Sequence, residues 1–569
     1  MSLETRMELL LVLIAVTLLF LAAGARDKKF NVVHIIIDDL RPELFNYGCD
    51  KVYSPNIDKL AKTGVSFDHC YCQQAVCGPS RNSFLTGRRP DASRTWNFIN
   101  HFRQDHPDWT TLPGMFLKAG LNSLGVGKVY HQFMTPKDDG NKSWSEASLP
   151  YSNPCFFYGI SCTPCGGLFD KKKCSDHGFG PGNVSTCWCM VEAKEDTLTA
   201  TRAIELLQIG VKDFMEKRKL FYLAIGFHKP HLPWQAKKKH FDRYPLENIT
   251  LAKYKTAPTN MPGIAFSSCD SPSPYEPISD KGAKLARRGY YASVSGMDEQ
   301  VGRILNAIEG YGIKNDTVVI FHGDHGWQLG EHGEWRKNTN FELGTRVPLI
   351  VSVPDLDASR MGTRENNNFV ELVDLMPTIA DFAGIDVQSI VKNETKLAGV
   401  SLKGVIYDTT DRHDMESTYT DEGKIVGSYG NHNDRRSRVV KSASYSQYPR
   451  DPKDMNFPYE HNGIDHKNRS KFKVMGYSVR TREWRYTEWR LWNNVTLTGE
   501  WDVSPIGTEL YDHRNEKSFP TNFDLGENVN VFSQYNNSAI VETLAKQLRG
   551  LFVNDASPSL LLPPPPAMT

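Results

Sequence analysis

The chain has 569 residues, 40% of them apolar, which is enough for a globular protein with one large and one smaller domain. Its formal net charge of +1 argues against nucleic-acid binding and against a long polyanion groove, so any anion must be bound locally. The chain begins with a lone Arg6, the apolar run 9–23 and the small-residue triplet Ala23-Gly24-Ala25. This order predicts a signal peptide over residues 1–25.

An uncleaved signal anchor is the alternative interpretation of this leader. The apolar run is short for a bilayer span and no second such run follows, so we expect no stable membrane anchor. Several N-glycosylation sequons agree with passage through the secretory pathway, although any single sequon is a weak indication. They lie at Asn141, Asn183, Asn248, Asn315, Asn393, Asn468, Asn494 and Asn536.

The cysteines predict a disulfide-containing chain with one reactive thiol. Eleven cysteines in a secreted protein leave one unpaired if the others form disulfides, and Cys77 is the candidate for the odd one. A Gly- and Pro-rich stretch without helical or strand period holds Cys155, Cys162, Cys165, Cys174, Cys187 and Cys189. We expect a disulfide-stapled loop there; a zinc site is the less favoured alternative, because no CxxC pair recurs at zinc-ribbon spacing.

The first predicted strand covers residues 30–37, a nearly continuous β-branched run typical of a parallel strand buried on both faces. A helix is predicted next, with Ser54 as N-cap, Pro55 at its first position and Gly64 just past its end. The alternation then repeats, with amphipathic segments at 197–217 and 297–311 followed by strands at 220–227 and 317–322. This order predicts an α/β fold with a doubly wound sheet.

The pattern changes near residue 441 to Tyr- and Trp-rich alternating segments, which predict antiparallel strands. We therefore predict an N-terminal catalytic domain over 26–440 and a smaller C-terminal α+β domain over 441–569. The Pro-rich tail from Ser557 is expected to be disordered.

Polar clusters follow three of the predicted strands. In doubly wound sheets, ligands bind beyond the carboxyl ends of the strands, so these clusters are expected to converge. They are Asp38-Asp39, the segment from His228 to His231, and Asp324-His325.

The segment 75–87, Ala-Val-Cys-Gly-Pro-Ser-Arg-Asn-Ser-Phe-Leu-Thr-Gly, resembles the C-x-P-x-R signature of the sulfatase family. The resemblance implies that a formylglycine-generating enzyme oxidises Cys77 to formylglycine, whose hydrate offers two hydroxyls. One hydroxyl would attack sulfur and expel the alcohol; the second would then lose its proton, so that sulfate leaves and the aldehyde returns. A serine would form a sulfate ester with no such exit.

Arg81 lies one turn from Cys77 if Pro79 begins a helix, where it would orient the nucleophile and neutralise charge. The alternative for Cys77 is an ordinary disulfide partner. The flanking Pro79 and Arg81 argue against that alternative.

The predicted metal site has hard oxygen donors. Three carboxylates, Asp38, Asp39 and Asp324, together with an oxygen on the modified Cys77, suit one Ca²⁺ or Mg²⁺ ion, and we expect Ca²⁺. We expect His325 as the further ligand, by resemblance to the family; most sulfatases that resemble this chain carry Asn there. Solvation of a strand end is the alternative for Asp38-Asp39 alone.

Two further segments resemble the family's sulfate-binding motifs. Residues 120–131 resemble the second sulfatase signature, with a departure at Leu121, and imply that Lys128 and His131 contact the sulfate and steer proton transfer. A lone Lys or His would otherwise be assigned to the surface or the core.

By the same resemblance, His231 faces the leaving-group oxygen as general acid, with His228 structural. Lys337, which closes the segment 331–337, matches the lysine that binds the sulfate. Lys128, His231 and Lys337 would together form a cationic cage.

The resemblance covers essentially the whole mature chain and implies an alkaline-phosphatase-like fold. Segments 86–91, 324–327, 330–335 and 445–450 are most similar to the branch of the family that removes the 2-sulfate from terminal iduronate in heparan and dermatan sulfate. A sulfated glycosaminoglycan end, degraded in the lysosome or outside the cell, is therefore the expected substrate.

Three alternatives stay open. They are another sulfated sugar, an alkaline-phosphatase-like phosphodiesterase with a Thr or Ser nucleophile and two zinc ions, and an inactive glycan-binding relative.

Overall fold

The structure is a computed structural model that describes residues 28–131, 134–145, 188–190, 192–267, 273–408, 441–453, 455, 466–514 and 526–555. The predicted signal peptide, residues 155–187 of the cysteine-rich stretch and the tail from Ser557 lie outside the described residues. No helix in these ranges combines the length and the apolar character that crossing a membrane requires.

A seven-stranded sheet forms the centre of the larger part of the chain. Its strands are β1 (Asn31–Ile37), β2 (Gly64–Tyr71), β3 (Asn122–Gly127), β4 (Phe221–Phe227), β5 (Thr317–Gly323), β6 (Leu349–Ser352) and β7 (Thr363–Glu371), in the order β7-β2-β6-β5-β1-β4-β3. All seven residues of β1 are buried, as its nearly continuous apolar run predicts. Strand β1 pairs in parallel with β4 and β5.

The sheet is mixed rather than wholly parallel. Strand β6 runs antiparallel to both β2 and β5. The connection between β5 and β6, residues 324–348, contains short helical turns and a small two-stranded pairing but no long crossover helix, and such a connection returns the chain in the opposite direction.

Helices cover both faces of the sheet. The longer ones are α1 (Pro55–Ala61), α2 (Cys77–Thr86), α3 (Leu112–Lys118), α4 (Lys194–Lys217), α5 (Asp280–Gly310), α6 (Leu375–Ala383) and α7 (Ala539–Asp555). Short helices lie at Pro90–Ser93, Phe102–Asp105, Lys238–Phe241, Glu342–Thr345, Val387–Ile390, Lys403–Tyr407 and Phe532–Tyr535. Helices α1, α4 and α5 pack against one face of β1, and α2, α3 and α6 pack against the other. The doubly wound α/β prediction is confirmed.

Two predicted helix ends differ from the structure. Helix α1 begins at Pro55 as predicted but ends at Ala61, and Gly64 opens β2 instead of capping the helix. A Cβ at Gly64 would collide with the carbonyl oxygen of Val351 on the neighbouring β6, so strand pairing is the reason for this glycine. Helix α5 begins at Asp280, well before the predicted Met297, and the Ser279 side chain caps it by accepting from Gly282 N at 3.2 Å.

A second, antiparallel sheet follows, as the Tyr- and Trp-rich segments predict. It contains β8 (Ala443–Arg450), β9 (Val474–Thr481), β10 (Trp484–Asn493), β11 (Thr498–Gly499) and β12 (Gly507–Asp512), with β12 paired to β10. Helix α7 buries Leu548 and Phe552 against this sheet. Two minor two-stranded pairings join Trp188–Cys189 to Trp234–Gln235 and Gln328–Leu329 to Trp335–Arg336.

Buried ion pairs join the two sheets. Arg89 makes two bonds of 2.7 Å to Glu371 at the end of β7, and Lys441 binds Glu371 at 2.9 Å and Asp374 at 2.6 Å. All four side chains are buried, so the second sheet is held against the first by a charge network shielded from solvent.

The expectation of a single unpaired cysteine is wrong. Cys49, Cys70 and Cys72 are free in addition to Cys77, and all are buried. Cys70 lies within β2 and Cys72 just after it, and both belong to the hydrophobic core, where a thiol packs as a small apolar side chain.

Candidate active site

The sheet register brings two acidic segments together. Strands β1 and β5 are parallel neighbours with Ile37 opposite Gly323, so Asp38 and Asp324, the next residues, emerge side by side. The Asp324 amide donates to the Ile37 carbonyl at 3.0 Å, which extends this pairing into the site. Asp39 follows in a left-handed conformation with φ of 62°.

Cys77 is the first residue of α2, and Arg81 lies one turn further along the same helix. The Cys77 Sγ lies 3.2 Å from Asp38 Oδ1. Arg81 Nε donates to Asp324 Oδ2 at 2.9 Å, and its Nη2 donates to Asp38 Oδ1 at 3.2 Å. These two bonds fix both carboxylates relative to residue 77. Arg81 is fully buried, so water does not compete for its donors.

His325 presents a lone pair to the acidic cluster. Its Nδ1 lies 3.0 Å from the Gly326 carbonyl and must therefore carry the proton, which leaves Nε2 unprotonated in the neutral ring. That Nε2 lies 3.3 Å from Asp39 Oδ1 and 3.5 Å from Asp324 Oδ1. Burial, with Lys337 adding to it, holds the pKa of His325 well below its usual range, so a cation between these groups is the natural partner.

The donor atoms are close enough together to bind one divalent cation. Ligand atoms of Asp38, Cys77, Asp324 and His325 lie within 4.8 Å of one another. Two donors on one Ca²⁺ can be separated by at most about 5 Å, given oxygen bonds of about 2.5 Å. Among the described residues, no hydrogen-bond donor reaches Asp39 Oδ2, although this oxygen is buried.

The ionisation of the three carboxyls also fits a divalent ion. Burial raises the pKa of Asp324 to about 7 against the opposing effect of Arg81, and burial raises the pKa of Asp39 to about 6 against that of Lys337. For Asp38, burial is outweighed by Lys128, His231 and Arg81, and its pKa falls well below the usual range. A divalent ion would stabilise the ionised forms of Asp324 and Asp39, which burial otherwise disfavours.

Two lysines complete the surroundings of residue 77. Lys337 Nζ lies 3.1 Å from Cys77 Sγ and 2.6 Å from Asp39 Oδ1; Lys128 Nζ lies 3.8 Å from the sulfur and contacts Asp38. Burial opposes the charged form of both lysines, but the neighbouring carboxylates outweigh it and raise the pKa of each, so both are ammonium ions. The charges of the three carboxylates are balanced by those of Arg81 and the two lysines. A bound divalent ion would therefore make the site net positive and suited to an anion.

The thiol of Cys77 is not activated. Burial, with Asp38 adding to it, raises the pKa of Cys77 well above its usual range, and the two nearby lysines only partly oppose this. The thiolate is the nucleophilic form of cysteine, so the unmodified side chain is poorly suited to attack at neutral or acidic pH.

His231 reaches the site from the loop after β4. Its Nδ1 lies 2.7 Å from the Leu232 carbonyl and therefore carries the proton, so Nε2 is the nitrogen that can exchange a proton with a ligand. A ligand atom of His231 lies within 4.8 Å of those of Asp38, Asp39 and Cys77. Burial, with Lys128 and Lys337 adding to it, lowers the pKa of His231 well below its usual range.

The loop that carries His231 is held by two residues, Asp196 and Lys229, to which the motifs assigned no role. Asp196, in the first turn of α4, accepts from the backbone amides of His228 at 2.7 Å and Lys229 at 3.0 Å. The Lys229 ammonium donates to the carbonyls of His231 at 3.0 Å and Pro233 at 2.9 Å. The sequence signals for these two residues were the position of Asp196 next to the predicted amphipathic segment 197–217 and that of Lys229 inside the polar segment 228–231.

His131 lies at the edge of the cluster. Arg81 anchors its segment by donating to the carbonyls of Lys128 and, at 3.2 Å, Val129. The half-buried imidazole of His131 stacks on Phe98, and burial, with Lys128 adding to it, lowers its pKa well below the usual range. Phe98 lies in an irregular segment whose sequence gives no signal of this contact.

The segment 445–450 in β8 supports the loop that carries Lys337. Tyr448 and Arg450 are buried, and both bind Asn338, the residue after Lys337. The Tyr448 hydroxyl accepts from Asn338 Nδ2 at 2.6 Å, and Arg450 Nη1 donates to the Asn338 carbonyl at 2.7 Å. Through these contacts, the second sheet positions the loop that carries Lys337.

A second acidic cluster, Glu342, His513 and Glu527, has metal-like spacing but a different character. Arg480 Nε binds Glu342 at 2.8 Å, and Arg485 pairs with Glu527. These guanidinium groups already balance the negative charge of the two carboxylates. We therefore interpret the cluster as an ion-pair network between β9, β10 and the larger sheet, and not as a metal site.

Comparison with known proteins agrees with this fold. A family model with the description Sulfatase matches residues 30–385, and the chain belongs to the sulfatase family. It is a sulfuric ester hydrolase.

Two curated relatives are similar along most of their length. The chain is 34% identical to human iduronate 2-sulfatase over 503 residues, which cover 82% of this chain and 86% of the relative. It is also 34% identical to the mouse iduronate 2-sulfatase, over 81% of this chain and 84% of the relative. Among solved structures, a phosphonate monoester hydrolase of Agrobacterium radiobacter shares the fold, with a TM-score of 0.62 at 17% identity over 93% of this chain and 96% of that one.

Proposed function

We propose that this chain removes the 2-sulfate from terminal iduronate in heparan and dermatan sulfate, with formylglycine at position 77 and one Ca²⁺ ion. The observation that carries the proposal is the position of Cys77 Sγ, 3.2 Å from His325 Nε2 on the metal side and 3.1 Å from Lys337 Nζ on the cationic side. Similarity to iduronate 2-sulfatases over most of the chain supports the choice of substrate.

The metal ligands in this proposal are the side chains of Asp38, Asp39, Asp324 and His325, with an oxygen at position 77. When bound, Ca²⁺ would polarise a sulfuryl oxygen and stabilise the charge that develops there. Arg81 holds Asp38 and Asp324 in place and supplies positive charge that does not vary with pH.

The remaining residues handle the sulfate and the protons. Lys128 and Lys337 would bind the non-bridging sulfate oxygens, because both are buried ammonium groups beside residue 77. His131 would accept the proton of a hydroxyl at residue 77, since its pKa keeps the ring neutral.

His231 would give a proton from Nε2 to the leaving alcohol oxygen. Its lowered pKa reflects burial beside two ammonium groups. A bound sulfate ester brings negative charge to those ammonium groups and so raises the pKa of His231 at the moment when a proton is needed.

The biological setting is part of the proposal. We infer passage through the secretory pathway to the lysosome or the cell exterior, with Cys77 modified on the way by a formylglycine-generating enzyme. We assign the catalytic domain to residues 26–440 and the smaller domain to 441–569, because the second sheet begins at Ala443 and supports the Lys337 loop.

The test is a substrate panel with the full chain produced in cells that contain a formylglycine-generating enzyme. We expect turnover of a 2-sulfated iduronide to exceed that of an aryl sulfate, with no turnover of a phosphodiester. Peptide mass spectrometry should find the aldehyde at residue 77. Cys77→Ala should abolish activity, whereas Cys70→Ala, at another free and buried cysteine, should retain it. Faster turnover of a different sulfated sugar or of the phosphodiester would overturn the substrate assignment.

A further inference from the structure

A second concave site lies apart from the proposed active site. It is a cavity of about 610 Å³ lined by the segment before α1, the first turn of α1, residues 243–250 and Tyr291 of α5. None of the proposed catalytic or metal-binding residues lines it. The volume is within the range of cavities that hold small ligands.

The rim of this cavity contains an N-glycosylation sequon. Asn248-Ile249-Thr250 has the acceptor pattern, and the exposed side chain of Asn248 lines the cavity. The backbone there is anchored, because Ile249 is buried and Arg287 donates to the Thr250 carbonyl at 3.1 Å. Asn248 is therefore held at the rim rather than on a freely moving loop.

Two exposed aromatic rings form part of the walls. Phe45 is 61% exposed and Tyr53 is 49% exposed, and both line the cavity. The guanidinium of Arg243 lies 3.9 Å from the centre of the Tyr53 ring and fixes its orientation. Rings of this kind offer flat apolar faces to the C–H face of a pyranose, and Arg243 offers hydrogen bonds to its hydroxyl and acetamido groups.

We propose that Asn248 carries an N-linked glycan whose first N-acetylhexosamine residues pack in this cavity against Phe45 and Tyr53. Attachment would form a bond between sugar C1 and Asn248 Nδ2, with loss of one amide proton and release of a lipid diphosphate from a lipid-linked oligosaccharide. The inference rests on the secretory route given under Proposed function and is independent of the catalytic chemistry. The packed sugars would cover two large rings that otherwise face water.

The first test compares two exposed sequons on the full chain secreted from mammalian cells. Asn494, in the turn after β10, lies outside the cavity and serves as the control. Peptide mass spectrometry should find a glycan at Asn248, and native N-glycosidase should release it about tenfold more slowly than the glycan at Asn494. Tyr53→Ser should bring the two release rates together. An unmodified Asn248 in secreted protein, or equal release rates in the parent chain, would overturn the proposal.

The second test separates packing from a mere attachment site. Asn248→Gln should lower the Tm by about 2 °C, whereas Asn494→Gln should leave it unchanged. Tyr53→Ser should lower the Tm less in the Asn248→Gln background than in the parent chain. The contact between Tyr53 and Arg243 is lost in both, but the sugar contact is lost only in the parent chain. Additive losses would count against packing. A different result would assign the cavity to a substrate chain instead of a glycan. In that case the Asn248→Gln variant would bind a heparin oligosaccharide, and adding Tyr53→Ser would abolish this binding. The sulfatase activity of each variant is measured in parallel. Failure of the glycan proposal can therefore be told apart from failure of the proposed sulfatase activity.

Discussion

The ring of Phe98 stacks face to face on the imidazole of His131, with centroids 4.1 Å apart and planes inclined by 9°. The same ring lies against the first turn of α2, where a Cβ at Gly78 would come within 2.9 Å of Phe98 Cδ1. The ring centroid of His466, from the segment before β9, lies 5.7 Å from that of Phe98. Phe98 thus connects the start of the nucleophile helix, a proposed proton acceptor and the smaller part of the chain.

We expect Phe98→Leu to lower kcat/KM about tenfold and to move the pH limb that reports His131 upward. Burial is the main cause of the low pKa of His131, and a smaller side chain admits water, so the pKa should rise toward its usual value of 6.5. The measurement is a pH profile of kcat/KM.

Phe98→Tyr keeps the ring and should keep the profile of the parent chain. Phe45→Leu changes an exposed phenylalanine elsewhere and serves as the control. If the pH profile of kcat/KM for Phe98→Leu shows no shift in the limb that reports His131, Phe98 does not position His131.

Cys77→Ser should abolish turnover while the fold survives. Serine is nearly isosteric with cysteine and fits the buried first turn of α2, but it can form only a sulfate ester that has no elimination route. Turnover should fall by more than about 10³-fold, with an unchanged circular dichroism spectrum and Tm. Substantial sustained turnover by this variant would count against the formylglycine mechanism.

Asp324→Asn should weaken Ca²⁺ binding about tenfold or more. The substitution keeps the shape but removes the charge of a proposed ligand that also accepts from the Asp39 amide at 3.1 Å. Isothermal calorimetry of the full chain measures this affinity. Asp91→Asn is the matched control, because Asp91 is buried and binds Trp96 Nε1 at 2.8 Å outside the metal cluster. Equal affinity in both variants would remove Asp324 from the ligand set.

Tyr448→Phe should lower kcat/KM about fivefold with a small change in stability. The change removes the hydroxyl that holds Asn338, and with it part of the support of the Lys337 loop. A buried hydrogen bond contributes about 1 kcal/mol, which corresponds to roughly fivefold in rate if it acts only through placement of the lysine.

Tyr47→Phe is the control for this prediction. The Tyr47 hydroxyl bonds to the Leu349 carbonyl at 2.9 Å in β6, so its loss should affect stability but not kcat/KM. The positioning role is rejected if both variants change the Tm and neither changes the kinetics.

Glu371→Gln should destabilise the chain over a defined pH range. Burial opposes ionisation of Glu371, but Arg89 and Lys441 outweigh it and lower its pKa from 4.5 to about 2. A lowered carboxyl pKa contributes stability that is present above pH 4.5 and disappears as the pH falls toward 2. Because the difference of about 2.5 pKa units corresponds to about 3 kcal/mol, the variant should lose about that free energy of unfolding at both pH 7 and pH 5.

Urea unfolding at several pH values measures this loss. Glu309→Gln removes a carboxylate that pairs with Lys59 at 3.4 Å, with both side chains 58% exposed, and should cost less than about 0.5 kcal/mol. A loss for Glu371→Gln that matches this control, or that varies between pH 5 and pH 7, would contradict the prediction.

The elements that could be predicted from sequence are those whose signal is local. The apolar run of β1, the alternating pattern of β9 and β10 and the spacing from Cys77 to Arg81 are each contained within a few residues. Periodicity and motif spacing depend on backbone geometry alone, so they survive without knowledge of distant neighbours. The family resemblance rests on the same local segments.

The features that escaped prediction depend on contacts between distant segments. The antiparallel direction of β6, the stacking of Phe98 on His131 and the support of Asn338 by Tyr448 all join parts of the chain without any shared local pattern. The cysteine prediction failed for the same reason, since whether Cys70 pairs depends on what packs around β2.

By itself, the sequence determined the α/β class, the antiparallel second sheet and the identity of the polar residues at the strand ends. Only the tertiary structure decided that β8 supports the Lys337 loop and that Asn248 faces a cavity. The reason is that a side chain's chemistry is a property of the residue, whereas its pKa, its orientation and its partners depend on burial and on neighbours that the fold brings from far along the chain.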